Sequence, residues 1–121
     1  MLTNFEDITC ELDPDEKKLI PIIISGLKLH YENEPITAPE IVRKINERSE
    51  VYNLSRKFTQ ARLRKIIHYL RENSLLPVIA TSKGYFISYN KVTIRSQINS
   101  MNERANSIIN AANGLKKFLY G

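Results

Sequence analysis

The sequence predicts a mainly α-helical protein carrying one small β-hairpin and a long C-terminal heptad helix. Apolar residues recur at helical spacing in capped segments between Asp13 and Asn73. Two short β-prone runs, 77–81 and 85–89, surround Ser82-Lys83-Gly84. From Ile94 to Leu119, apolar and small residues recur at alternating steps of four and three.

The first helix is expected in "LDPDEKKLIPIIISGLKLHYENE". Asp13 can cap it, Pro14 suits the first position, and Glu16 completes a capping box. Leu19, Ile20, Ile23, Ile24 and Leu27 form its buried stripe. Pro21 lacks the N–H that would bond Lys17, which predicts a kink or a start near Lys18. Asn33, Glu34 and Pro35 are expected to end the element. Ile36 then lies in a short extended link.

Thr37 and Glu40 bracket the start of a second helix, whose apolar face is Ala38, Ile41, Val42 and Ile45. A polar connector over residues 49–58 leads to a third helix capped by Thr59. Phe58 and Leu63 flank that cap as a hydrophobic staple. The third helix buries Leu63, Ile66, Ile67 and Leu70 and ends near Asn73. Gly84 supplies positive φ for the hairpin reversal.

In the last helix the heptad series is Ile94, Ile98, Met101, Ala105, Ile108, Ala112, Leu115 and Leu119. The stripe is narrower than that of a helix packed on its own core, and its alanines permit close approach. It is expected to dimerise the chain, in a sense the sparsely charged flanks do not reveal.

Charge is distributed unevenly. The net charge is +5, made up of −4 over residues 1–20, −1 over 21–50, +7 over 51–91 and +3 over 92–121. Concentrated positive charge suits a polyanionic partner, because neutralised phosphates release counterions. On a helical wheel of the third helix, Ala61, Arg64, Lys65 and His68 fall opposite the apolar stripe. Gln60 and Arg71 lie on one flank and Arg62 and Tyr69 on the other. Such a face suits a major groove: arginine can bond guanine bidentately, glutamine can bond adenine, and a small Ala61 permits close approach. Gln60, Arg64, Lys65 and His68 are therefore expected to read bases. Arg56, Lys57, Thr59, Arg62, Arg71 and Lys83 are expected to hold phosphates or flank the site.

The chemistry of other classes is missing. Cys10 is the one cysteine, and His30 has no second histidine or cysteine near it, so no metal site is expected. No catalytic set, Gly-rich phosphate loop or paired carboxylates in an apolar setting appears. A non-enzymatic protein without cofactor or small-molecule ligand is expected. "LIPIII" is far shorter than the ~20 residues of a membrane span, and no signal core opens the chain, which predicts a cytoplasmic location.

Helix, short strand, helix, helix, hairpin, helix is the winged helix-turn-helix order, in which the third helix reads DNA. The expected organisation is an N-terminal arm over 1–12, a winged-helix domain over 13–90 and a dimerisation helix over 91–121. The segments "LIPIIISGLK", "ITAPEIVRKIN" and "FTQARLRKIIHYLRENSLLPVIATSKGYFIS" resemble small winged-helix proteins of bacteriophages and bacterial genomes. The resemblance implies a DNA-binding fold working in a bacterial cell or phage-infected host. It carries the recognition role onto Gln60, Arg62, Arg64, Lys65 and His68 and the wing-tip role onto Lys83. A regulator of transcription or of phage replication is the function expected, acting as a homodimer on double-stranded DNA. The alternative is a protein-interaction adaptor that uses the winged helix as a scaffold and the last helix as its working surface.

Overall fold

A computed structural model describes residues 11–120. The expected N-terminal arm lies outside the described residues except for Glu11 and Leu12, and Leu12 is buried in the core. The elements run α1 (Pro14–Leu27), α2 (Ala38–Glu47), α3 (Gln60–Glu72), β1 (Val78–Thr81), β2 (Gly84–Ile87) and α4 (Lys91–Tyr120). They divide into two compact units, the first ending at Ser88 and the second beginning at Tyr89.

Helix α1 begins where its capping box puts it. The Asp13 carboxylate accepts from the Glu16 N–H at 2.8 Å, and Glu16 accepts from the Asp13 N–H at 2.9 Å. Pro21 sits inside the helix, so the alternative start near Lys18 is corrected. The helix also stops earlier than the Asn33–Pro35 boundary expected for it. The Leu29 and His30 N–H groups turn back onto the carbonyls of Gly26 and Leu27. The His30 carbonyl then accepts from the Ile87 N–H at 3.0 Å, so pairing with β2 draws this backbone away from helix.

Helix α2 is capped by Thr37, whose hydroxyl accepts from the Glu40 N–H at 3.3 Å. After α2 the chain turns through residues 49–54 and reverses at Asn53, whose φ is +52°. Asn tolerates that region better than most residues. Asn46 secures the end of this connector. Its side chain donates to the Phe58 carbonyl and accepts from the Phe58 N–H, at 3.0 and 2.9 Å. Phe58 and Leu63 are both buried on either side of the Thr59 cap, as a staple requires. Helix α3 closes in a Schellman arrangement. Ser74 takes φ +54°, while Leu75 N–H bonds the Leu70 carbonyl and Ser74 N–H the Arg71 carbonyl.

β1 and β2 pair antiparallel, with Val78 opposite Ile87 and Ile79 opposite Phe86. Ile36 joins them through a two-way bridge with Tyr85, at 2.9 and 2.7 Å. Gly84 is required twice over. Its φ is +130°, and a Cβ there would stand 2.6 Å from the Ile36 carbonyl oxygen. Phe86, Ile87 and Ser88 are all buried and Tyr89 is exposed, so burial here does not follow a simple inward–outward alternation.

Leu19, Ile23 and Leu27 of α1, Ile41 and Ile45 of α2, and Leu63, Ile66, Ile67 and Leu70 of α3 form the core with Phe58, Val78 and Ile87. The four apolar residues expected to face inward from α3 all do. Helix α4 is a continuous 30-residue helix with no buried residue. Asn90 caps it by accepting from the Val92 and Thr93 N–H groups. Among the described residues, no helix is long and apolar enough to cross a membrane.

Candidate nucleic-acid interface

The buried stripe of α3 determines which of its polar side chains reach solvent. Gln60, Arg64 and His68 are exposed and stand four residues apart, so they form one row along the helix. Glu72 continues the row, and its carboxylate lies 3.4 Å from His68 Nε2. Lys57 is exposed just before the helix, and Lys83 is exposed in the hairpin turn.

Two residues expected at the interface are elsewhere. The Arg62 side chain is only 5% exposed; its guanidinium bonds the Asp13 carboxylate and lies 3.6 Å from Glu16. Lys65, expected among the base readers, pairs with Glu16 at 3.0 Å and is 13% exposed at its side chain. Both side chains are drawn away from solvent for the same reason. The N-terminus of α1 carries Asp13, Asp15 and Glu16, and it packs along the flank of α3 that bears these cations. A wheel of α3 alone cannot contain that information.

The other flanking residues are partly engaged. Arg56 is exposed but pairs with Asp13 at 3.1 Å. The Thr59 hydroxyl accepts from the Arg62 N–H as the helix cap. Arg71 is half-buried and donates from Nε to the Val78 carbonyl at 3.0 Å, tying α3 to the hairpin.

The acidic cluster at the start of α1 is the feature that the sequence reading missed. Asp15 accepts from both the backbone N–H and the hydroxyl of Ser55, each at 2.8 Å. Lys18 lies 3.4 Å from Asp15 and donates to the Asn53 carbonyl at 2.8 Å. Glu16 is fully buried, and its Oε2 has no hydrogen-bond partner, although the Arg62 guanidinium is close. Burial acts to raise the Asp13 pKa, but the Glu16 N–H and the Arg56 and Arg62 guanidiniums outweigh it and hold the group below its ordinary value. The Ser55 hydroxyl is the main cause that lowers the Asp15 pKa. Burial opposes it, while the Ser55 N–H and Lys18 add to it. The signal was present in the charge distribution: acids cluster at 11–16 and cations at 56–71, and these stretches pack together in the first unit.

Helices α1 and α2 also border an open cavity of about 520 Å³, with Ile22, Leu27, Ile41 and Ile45 on its apolar side and Lys44 and Arg48 at its rim. Among the described residues no group of three or more His, Cys, Asp or Glu could hold a metal ion.

The heptad residues of α4 are exposed. Ile98 is 50% accessible, Ile108 67%, Leu115 68% and Leu119 75%; Met101, Ala105 and Ala112 are also exposed, and Ile94 is half-buried. No family model, curated protein or solved structure matches this chain.

Proposed function

We propose that this chain is a cytoplasmic, homodimeric winged helix-turn-helix protein that binds duplex DNA without catalysis and regulates transcription or phage replication. The observation that carries the reading is the solvent-facing row Gln60, Arg64 and His68, which runs from one flank of α3 to the face opposite its buried stripe. Such a row is what a helix must present to a major groove. The order of elements supports it, as does the bridge from Ile36 to Tyr85, which adds a third extended segment to the hairpin.

In this reading α3 enters the groove N-terminus first. Gln60 and Arg64 meet base edges and His68 lies further along. Lys57 and Lys83 hold phosphates, and Arg56 and Arg71 add to them at the flanks. The uncapped N–H groups of the first turn favour the same anions. Arg62 and Lys65 take no part, because the acids of α1 hold them. The electrostatic share of binding is accordingly smaller than the +7 of the middle segment suggests.

The test is selection of random duplex DNA on the purified protein, followed by binding of Arg64→Lys to the selected site and to a scrambled duplex. Arg64→Lys keeps its charge and should keep non-specific affinity. It should lose about 1–3 kcal/mol of preference at one base pair, because lysine lacks the bidentate geometry. Failure to enrich any sequence, with retention on heparin alone, would overturn the DNA reading.

The adaptor reading is favoured by one observation, the absence of any buried residue along α4. On that reading, α4 captures a different protein and purified chain alone stays monomeric.

A further inference from the structure

We propose that α4 pairs with α4 of a second copy in antiparallel sense, in a single register centred between Ala105 and Ile108. The inference rests on the homodimer part of the function proposed above and adds the orientation and the partners of each residue.

A 30-residue helix whose apolar seam stays accessible has an unmet hydrophobic demand, and its residue sizes name the surface that meets it. In a parallel, in-register pair every seam residue meets itself. Ala105 would face Ala105 and Ala112 would face Ala112, leaving two thin layers on either side of a thick one at Ile108. Gaps of that kind forfeit contacts that the helices cannot recover by approaching locally, because the adjacent large residues hold them apart.

An antiparallel pair removes the mismatch. Ala105 then faces Ile108 of the second copy, and Met101 faces Ala112. Ile98 faces Leu115, and Ile94 closes the end against Leu119. Each alanine meets a large side chain, so the four central layers match in thickness and the thicker large–large layers fall together at the two ends. The register is also specified. A slip of one heptad in either direction leaves Leu115 and Leu119, or Ile94 and Ile98, without an opposing layer. Antiparallel helices in addition set their macrodipoles against each other. The flanks raise one opposing charge contact: Arg95 approaches Lys116 of the second copy. Both are exposed, so solvent screens the repulsion.

The orientation also determines where the two copies of α4 begin. With a rise of ~1.5 Å per residue, the two copies of Asn90 lie about 50 Å apart at opposite ends of the rod. A parallel pair would start both copies at the same end.

Cysteine cross-linking tests the register. The starting chain carries Cys10→Ser, so that no native thiol competes. Met101→Cys, Ala112→Cys and the double variant are each oxidised and run without reductant. In the antiparallel register Cys at 101 meets Cys at 112 of the second copy. Equal positions lie eleven residues apart along the axis, about 16 Å, beyond the ~7 Å Cα limit of a disulfide. Only the double variant should give a covalent dimer. Ile98→Cys with Leu115→Cys repeats the test with different residues, should the first pair perturb the helix. Covalent dimers from the single variants would mean a parallel pair, which overturns the register and leaves the homodimer standing. No covalent dimer from either double variant overturns the register as well. Sedimentation of the uncrosslinked chain then shows whether the homodimer fails with it, and neither measurement depends on DNA.

Discussion

Helices α3 and α4 are both amphipathic, yet they stand in opposite conditions. Helix α3 buries Leu63, Ile66, Ile67 and Leu70 almost completely within its own unit. Helix α4 is more than twice as long and buries no residue. The difference lies in the spacing of the stripe. Adjacent isoleucines at 66 and 67 broaden the apolar face of α3, so it can touch α1, α2 and the hairpin together. Helix α4 also carries adjacent isoleucines, at 108 and 109, but its seam keeps the alternating steps of four and three from Ile94 to Leu119. The polar faces differ too. Half of the basic surface expected on α3 is held by α1, whereas the polar flanks of α4 are largely asparagine and serine.

The strongest way to break the comparison is to charge the seam of α4. If the proposed homodimer forms, Ile98→Asp with Ile108→Asp should leave only monomer in sedimentation while the first unit melts as before. If the first unit unfolds with it, α4 is part of that core and the contrast is wrong.

A smaller effect is expected from the acid that holds α3. Glu16→Ala leaves Arg62 and Lys65 short of their buried counter-charge and should cost the first unit about 3 kcal/mol in urea unfolding. Glu103→Ala on exposed α4 should cost nothing measurable. Equal, small losses would mean that the cluster is only a surface network.

Acid should act on the same contrast. The pKa values of Asp13 and Asp15 are depressed in the fold, so their contribution is complete above the unfolded carboxylate value and lost as pH falls through the lower folded values. The first unit should hold its melting temperature from neutral pH to about pH 5 and lose it below about pH 4. Asp13→Asn with Asp15→Asn should start from a lower stability and show a shallower fall. A fall of unchanged depth would place the acid sensitivity elsewhere.

The smallest expected effect separates free from engaged cations. On the proposed DNA-binding role, Lys57→Ala should reduce the log–log salt slope by roughly 0.9, the value of one phosphate contact. Arg56→Ala should reduce it less, because Asp13 already holds that guanidinium at 3.1 Å. Equal reductions would show that the pair with Asp13 opens on binding.

Local sequence determined the elements themselves. The Asp13–Glu16 box, the Thr37 and Thr59 caps, the Phe58–Leu63 staple and Gly84 each act through bonds or contacts a few residues away, so their signals are short and readable. The stripe of α3 followed from periodicity alone, and so did the seam of α4. Three things were decided only by tertiary structure. Helix α1 ends at Leu27, not near Asn33, because the His30 carbonyl is taken by Ile87 of the hairpin. Gly84 answers to the Ile36 backbone as well as to its own turn. Arg62 and Lys65, which a wheel leaves at the edge and on the face of a solvent-facing surface, became internal cations because α1 brings Asp13 and Glu16 against them from some fifty residues away. A periodic pattern reports which side of a helix avoids water; it carries no record of which distant charge arrives on the other side, since that depends on the packing of whole elements.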